Sequence, residues 1–288
     1  MAEIRLRPGG SLSVLEPALR EQADAANSVV TSFVGGHPRD YLDRYLAWVN
    51  QAWRGLEYQL RHTQLEELLH TRHYWALRQM DGSQAWLTGQ IKVELNSRRE
   101  ALVELADRAK TLALRWGVAS GMIVVPDTNV LLHSTQYFDE LDWRTALQIV
   151  ATAHLVIPLA VVDQIDNLKR SKQQVRSRAR QTAKRIETIL GSRPLERVVL
   201  RTDDGAMTTV EVLLDPLDHE RLPDSDSEIV DRAAYLAELA VTPVYVATFD
   251  NLMRFRAAAA GLRVVSPPPE YEREDDPSVR RTQAPHKL

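Results

Sequence analysis

The sequence predicts an α/β domain with a central parallel sheet, preceded by an all-helical domain. Residues 12 to about 116 keep a helical periodicity, punctuated by Gly35-Gly36 and Asp81-Gly82-Ser83, and hold little that alternates like a strand. After residues 117–121, "GVASG", the short runs "MIVVP", "HLVIP" and "VYVAT" alternate with longer helical stretches, the signature of βαβ units. At 288 residues and 44% hydrophobic content the chain can bury a core in each of two modest domains.

Within the helical half, Tyr41, Tyr45, Trp48, Ala52, Leu56 and Leu60 follow the spacing of one helix face, and Leu102, Leu105, Ala109, Leu112 and Trp116 follow it again. Such stripes are expected to pack on one another. Five of the six tryptophans lie here, which favours a bundle core over a stacking surface for bases. In the second half, "ERVVLRTDDGAMTTVEVLL" reads as two alternating strands around an Asp-Gly turn, so Asp203 and Asp204 are expected to form the turn. From Ser266 onward the Pro-rich, charged sequence predicts a disordered tail. The expected boundaries are 1–118 for the helical domain, 121–266 for the α/β domain and 267–288 for the tail.

The net charge of -3 gives no global sign of a polyanion partner. Without cysteine there is no disulfide, no Cys-ligated zinc or iron–sulfur site and no thiol nucleophile, so any metal must be held by oxygen or imidazole. No apolar leader or run of membrane-spanning length occurs, and a cytoplasmic protein without membrane contact is expected.

Carboxylates fall where the α/β pattern ends strands and begins helices. Asp127 follows "MIVVP" and Asp250 follows "VYVATF"; Asp163 and Asp166 lie near the start of one predicted helix, and Asp226 opens another. Each has an ordinary role as a cap or turn residue. Together they occupy the end of a parallel sheet where ligands bind. Gathered carboxylates repel unless a cation neutralises them, and oxygen-only ligation suits Mg²⁺ or Mn²⁺. That points to metal-assisted phosphodiester hydrolysis.

"VPDTNVLLHS", "VIPLAVVDQIDNLKRS", "DSDSEIVDRAAYLAEL" and "VYVATFDNLMRF" resemble, in that order, the successive motifs of PIN-domain ribonucleases. The resemblance covers about residues 121 to 266 and implies a three-layer PIN-like fold. It implies Asp127, Asp226 and Asp250 as metal ligands, with Asn129 and Thr248 as polar supporters. Where the family usually has Glu in a Glu-Leu-Asp run, this chain has Gln164-Ile165-Asp166, so full ligation requires Asp163 or Asp166 to turn inward.

Between Asn167 and Arg185 stand eight basic residues and no acidic one: Lys169, Arg170, Lys172, Arg176, Arg178, Arg180, Lys184 and Arg185. Adjacent to the acidic site, this run is expected to bind a phosphate backbone. It resembles the basic insertion of PIN domains fused to PhoH-type ATPases, although no Gly-rich phosphate loop with its Lys occurs here. The expected function is a divalent-metal-dependent endoribonuclease acting on single-stranded or structured RNA. A catalytically weak RNA-binding or interaction protein, or a toxin-type ribonuclease, is the alternative. The helical half is expected to select targets, self-associate or receive a protein regulator.

Overall fold

In the computed structural model, residues 3–117, 121–170, 175–193, 196–216 and 219–273 are described. The chain divides into two compact units: Ala2–Ala119 with Glu238–Val241, and Ser120–Ala237 with the chain from Thr242 onward.

The first unit contains α1 (Leu12–Ser32), α2 (Pro38–Leu56), α3 (His62–Leu69), α4 (Arg72–Arg78) and α5 (Leu87–Trp116). Helix α1 lies along α5 with Leu15, Leu19, Ala23 and Ala26 buried on one helix and Leu95, Leu102, Ala106 and Ala109 on the other. The alanines let the two backbones approach closely. The Tyr41–Leu60 stripe is buried throughout, and the Trp48 indole donates to Gln22 O at 3.1 Å. The tryptophans divide: Trp48 and Trp116 are core, Trp75 and Trp86 are about half exposed, and Trp53 stacks on His70 with ring centroids 4.5 Å apart.

In the second unit are β1 (Met122–Pro126), α6 (Thr128–His133), α7 (Trp143–Ala146), β2 (Ala153–Pro158), α8 (Leu159–Leu168) and α9 (Val175–Leu190). It continues with β3 (Val198–Asp203), β4 (Ala206–Leu213), α10 (Ser225–Leu239), β5 (Val244–Ala247), α11 (Asn251–Ala259) and β6 (Arg263–Val265). The six strands form one sheet in the order β3-β4-β2-β1-β5-β6, parallel except for β3. Every residue of β2 and four of the five in β1 are buried, which is why both strands read as apolar runs, broken in β2 only by His154, whose ring hydrogen-bonds the Thr209 hydroxyl. The strand order reverses at β1, which pairs with β2 on one side and with β5 on the other. The ends of β1 and β5 therefore flank a topological switch point, where an open sheet leaves a crevice.

Gly121 enters β1 at φ 112, and a Cβ there would lie 2.2 Å from Thr152 O, so only glycine fits. The predicted hairpin forms between β3 and β4, with Asp204 and Gly205 both at positive φ as a type I′ turn requires. The predicted disordered tail is corrected at its start. Pro269–Tyr271 make a 3-10 turn, Thr135 N donates to Tyr271 O at 2.7 Å and Arg273 N donates to His133 O at 2.7 Å. The three consecutive prolines stiffen this stretch, and the end of α6 with the residues just after it supplies its hydrogen-bond partners. Residues 274–288 of the predicted tail lie outside the described residues.

Helix α9 also corrects the predicted basic surface. Arg178 is buried, stacks over the Tyr137 ring at 3.6 Å, and donates to Ser134 O at 2.9 Å and to Gln136 O. Arg185 lies over the same ring at 4.0 Å and pairs with Asp139 and Glu140. Both guanidinium groups are tied to their own chain. Arg176, Arg180 and Lys184, four residues apart, form one exposed stripe, and Arg170 is exposed beyond it. Lys169 pairs with Asp166, and Lys172 lies outside the described residues.

This division gives a test by urea unfolding. Arg178→Ala should lower stability by roughly 2 kcal/mol, because the buried Ser134 carbonyl and the partly buried Gln136 carbonyl lose a charged donor. Arg180→Ala should change it by less than about 0.5 kcal/mol. Equal midpoints for the two variants would contradict the structural role of Arg178.

Candidate functional site

Strand β1 ends at Pro126, and Asp127 then caps α6: its side chain accepts from Val130 N at 2.7 Å. Strand β5 ends beside it, held by Asp127 N donating to Ala247 O at 3.0 Å. This pairing places Thr248 against Asp127, and the Thr248 hydroxyl donates to the second Asp127 oxygen at 2.5 Å. The same hydroxyl accepts from Asp250 N at 2.9 Å, and Asp250 caps α11 by accepting from Leu252 N at 2.8 Å. Thr248 is fully buried and Asp127 is 2% exposed.

A cleft of about 320 Å³ opens over these strand ends, lined by Asp127, Thr128, Asn129, Gln164, Asn167, Leu168, Asp226, Asp250 and Met253. Three sequence-predicted carboxylates therefore share one cavity with Asn129 and Gln164, while Thr248 supports it from below. Asp226 reaches it as the second residue of α10, whose start is capped by Asp224 accepting from Ser227 N at 3.0 Å.

Asp163 and Asp166 do not line the cleft, which corrects the expectation that one of them turns inward. Helical phase is the reason. On α8, Gln164, Asn167 and Leu168 share the face at spacing i, i+3, i+4 that lines the cavity, and the two aspartates lie to either side of it. Asp163 pairs with Arg221 and Asp166 with Lys169. The Gln164 side-chain oxygen accepts from the Thr128 hydroxyl.

Sequence reasoning missed Thr128, Asn167, Leu168 and Met253 as lining residues. It also missed Arg256, whose Nη1 pairs with Asp224 and lies 3.4 Å from Asp226 Oδ2. A second group was not anticipated either. Asp215, His219 and Glu228 each bring one ligand atom within 4.8 Å of the others. There, His219 Nε2 and Glu228 Oε1 are 2.7 Å apart, Leu222 N donates to the other Glu228 oxygen at 2.8 Å, and Arg221 donates to Asp215 at 2.6 Å. With Arg232 3.5 Å from Glu228, these charges balance one another and fasten the chain that leads into α10.

Burial pushes the Asp127 carboxyl up to about 6 from 3.8, opposed by its hydrogen bonds from Thr248 and Val130 and reinforced by Asp226 and Asp250. A buried carboxylate among two others has a deficit of positive charge. Apart from the Met253 thioether, the donors in the cleft are hard oxygens from carboxylates, amides and a hydroxyl, a set that fits Mg²⁺ or Mn²⁺.

A family model described as PIN domain matches residues 124–267, half of the chain. The matched region runs from β1 to just beyond β6 and contains every residue lining the cleft. The comparison with curated proteins gave no match. Among the described residues, no helix is long and apolar enough to cross a membrane.

The raised Asp127 value sets the sign of a stability effect. The folded protein holds this proton more tightly than the unfolded chain, so the associated stability is fully present below about pH 4 and is lost as pH rises through about 6. In chelator, the melting temperature of the natural protein relative to Asp127→Asn should therefore fall as pH rises from 4 to 7.5, because the variant lacks the titrating group while its loss of one buried acceptor is the same at every pH. A melting-temperature difference between the two proteins that stays the same from pH 4 to pH 7.5 would refute the strain assigned to this carboxylate.

Proposed function

Because the chain belongs to the PIN-domain family, a nuclease-type family, we propose that it is a divalent-metal-dependent endoribonuclease. The observation that carries this reading is the single cleft lined by Asp127, Asp226 and Asp250 at the switch point of a parallel sheet. When bound, Mg²⁺ or Mn²⁺ supplies Lewis-acid activation of water and stabilises the departing 3′ oxygen. Asp127, Asp226 and Asp250 would hold it.

The chain's own groups have distinct tasks. Thr248 fixes the orientation of Asp127 and keeps Asp250 beside it. Gln164 and Asn129 offer neutral polar contacts at the cleft, where the family's usual Glu would add charge. Arg176, Arg180 and Lys184 span about 12 Å of helix and present cations for a phosphate backbone. The choice of RNA over DNA rests on the resemblance to PIN-domain ribonucleases. The helical unit is the proposed place for target selection, self-association or restraint of the nuclease, and the cytoplasm is the proposed location.

Gln164 favours a second reading, an RNA-binding module with a weakened site, because its amide carries no charge for a cation.

Labelled single-stranded and structured RNAs incubated with Mg²⁺, Mn²⁺ or chelator separate the two. The nuclease reading expects metal-dependent cleavage that falls on the order of 100-fold in Asp250→Asn, with RNA binding retained. RNA bound but left intact under every metal condition, with cleavage appearing only in Gln164→Glu, would support the binding module instead. For the basic stripe, Ala at 176, 180 and 184 together should flatten the dependence of log affinity on log salt by about 2 units, about 0.7 for each cation removed from a single strand. An unchanged slope would move the nucleic-acid surface elsewhere.

A further inference from the structure

We propose that Arg256 is a built-in competitor for the cation of the cleft, occupying Asp226 when no ion is bound and yielding it when one arrives. This rests on the metal-dependent reading above. Arg256 stands in the last turn of α11, the helix that Asp250 caps, so its guanidinium is carried on the same element as one carboxylate of the cleft and reaches across to another. It makes two unequal contacts. Nη1 forms a hydrogen-bonded pair with Asp224 Oδ2, and it lies 3.4 Å from Asp226 Oδ2. Asp224 does not line the cleft; Asp226 does. The guanidinium is thus anchored outside the cavity and leans on a carboxylate inside it.

The consequence follows from charge count. Three carboxylates face the cavity, and Gln164 adds none. A guanidinium at Asp226 neutralises part of that charge and engages an oxygen that a cation would need. Because affinity for a hard cation rises with ligand charge, this contact weakens ion binding and makes occupancy depend on concentration. The two side chains are each about one-third exposed, so the guanidinium has room to withdraw onto Asp224 when Asp226 turns to a cation. Asp224 remains available to receive it, since its oxygen already accepts from Arg256 while capping α10.

Direct Mn²⁺ binding, followed by calorimetry and by the loss of the free-ion electron paramagnetic resonance signal, tests this without any turnover. Arg256→Gln removes the charge and should tighten Mn²⁺ binding about tenfold. Arg256→Lys keeps the charge and should stay within about threefold of the natural protein, provided the shorter ammonium still reaches Asp224. Asp127→Asn should abolish binding in both backgrounds, locating the ion in the cleft. Natural protein that binds Mn²⁺, with Arg256→Gln binding equally or more weakly, would overturn the competition and make Arg256 a positioning residue for Asp226. Absence of Mn²⁺ binding from the natural protein and from Arg256→Gln would overturn both this inference and the metal-dependent reading beneath it. Binding seen only in Arg256→Gln would support the competition strongly.

Discussion

The buried hydrogen bond from Thr248 to Asp127 is the constraint on which the site depends. It joins the ends of β1 and β5 at the place where the strand order reverses. A carboxylate at 2% exposure is unfavourable unless its oxygens are satisfied, and here one accepts a hydroxyl and the other a backbone amide. Those two donors fix the side chain in one rotamer. Thr248 in turn receives Asp250 N, so a single hydroxyl sets two acidic residues relative to each other. The rest of the cleft is brought to this pair by α10, whose start Asp224 caps, by α11, which Asp250 caps, and by α8, which follows β2 directly.

Charge in the second unit is arranged by pairing rather than by sign alone. Arg178 and Arg185 are held at Tyr137, Arg221 bridges Asp163 and Asp215, and Arg232 faces Glu228. Within the sheet unit, the carboxylates of the cleft stand apart from these pairs, except where Arg256 leans on Asp226. A net charge of -3 conceals both the acidic cavity and the basic stripe of α9.

Much of this was legible in the sequence, for identifiable reasons. Asp127 and Asp250 announce themselves because an apolar, β-branched run fixes a strand and the next polar residue must sit at its end. Asp226 is legible as an acidic residue opening a helix. Helical phase was harder to read. Gln164 faces the cavity and Asp163, one residue earlier, faces Arg221, a difference set by how α8 packs and not by residue type. Likewise, Arg178 and Arg180 look alike in the chain and differ because Tyr137, contributed by a distant loop, lies beneath only one of them. Arg256 was invisible as a partner of Asp226, since nothing local ties the end of α11 to the start of α10. The ordered start of the tail was missed because its hydrogen-bond partners, His133 and Thr135, are far away in the chain.

The Thr248 hydroxyl has only one hydrogen, and accepting from Asp250 N leaves that hydrogen directed at Asp127. Both Asp127 oxygens are therefore already acceptors on their inner sides, and only the lone pairs that look into the cleft are vacant. A proton taken up by Asp127 must settle there, on the positions that would also face a cation. A cation held there, as proposed, would contend with acid for the same lone pairs. On the proposed reading, a site built on this carboxylate would report the acidity of its surroundings as well as the supply of divalent ions.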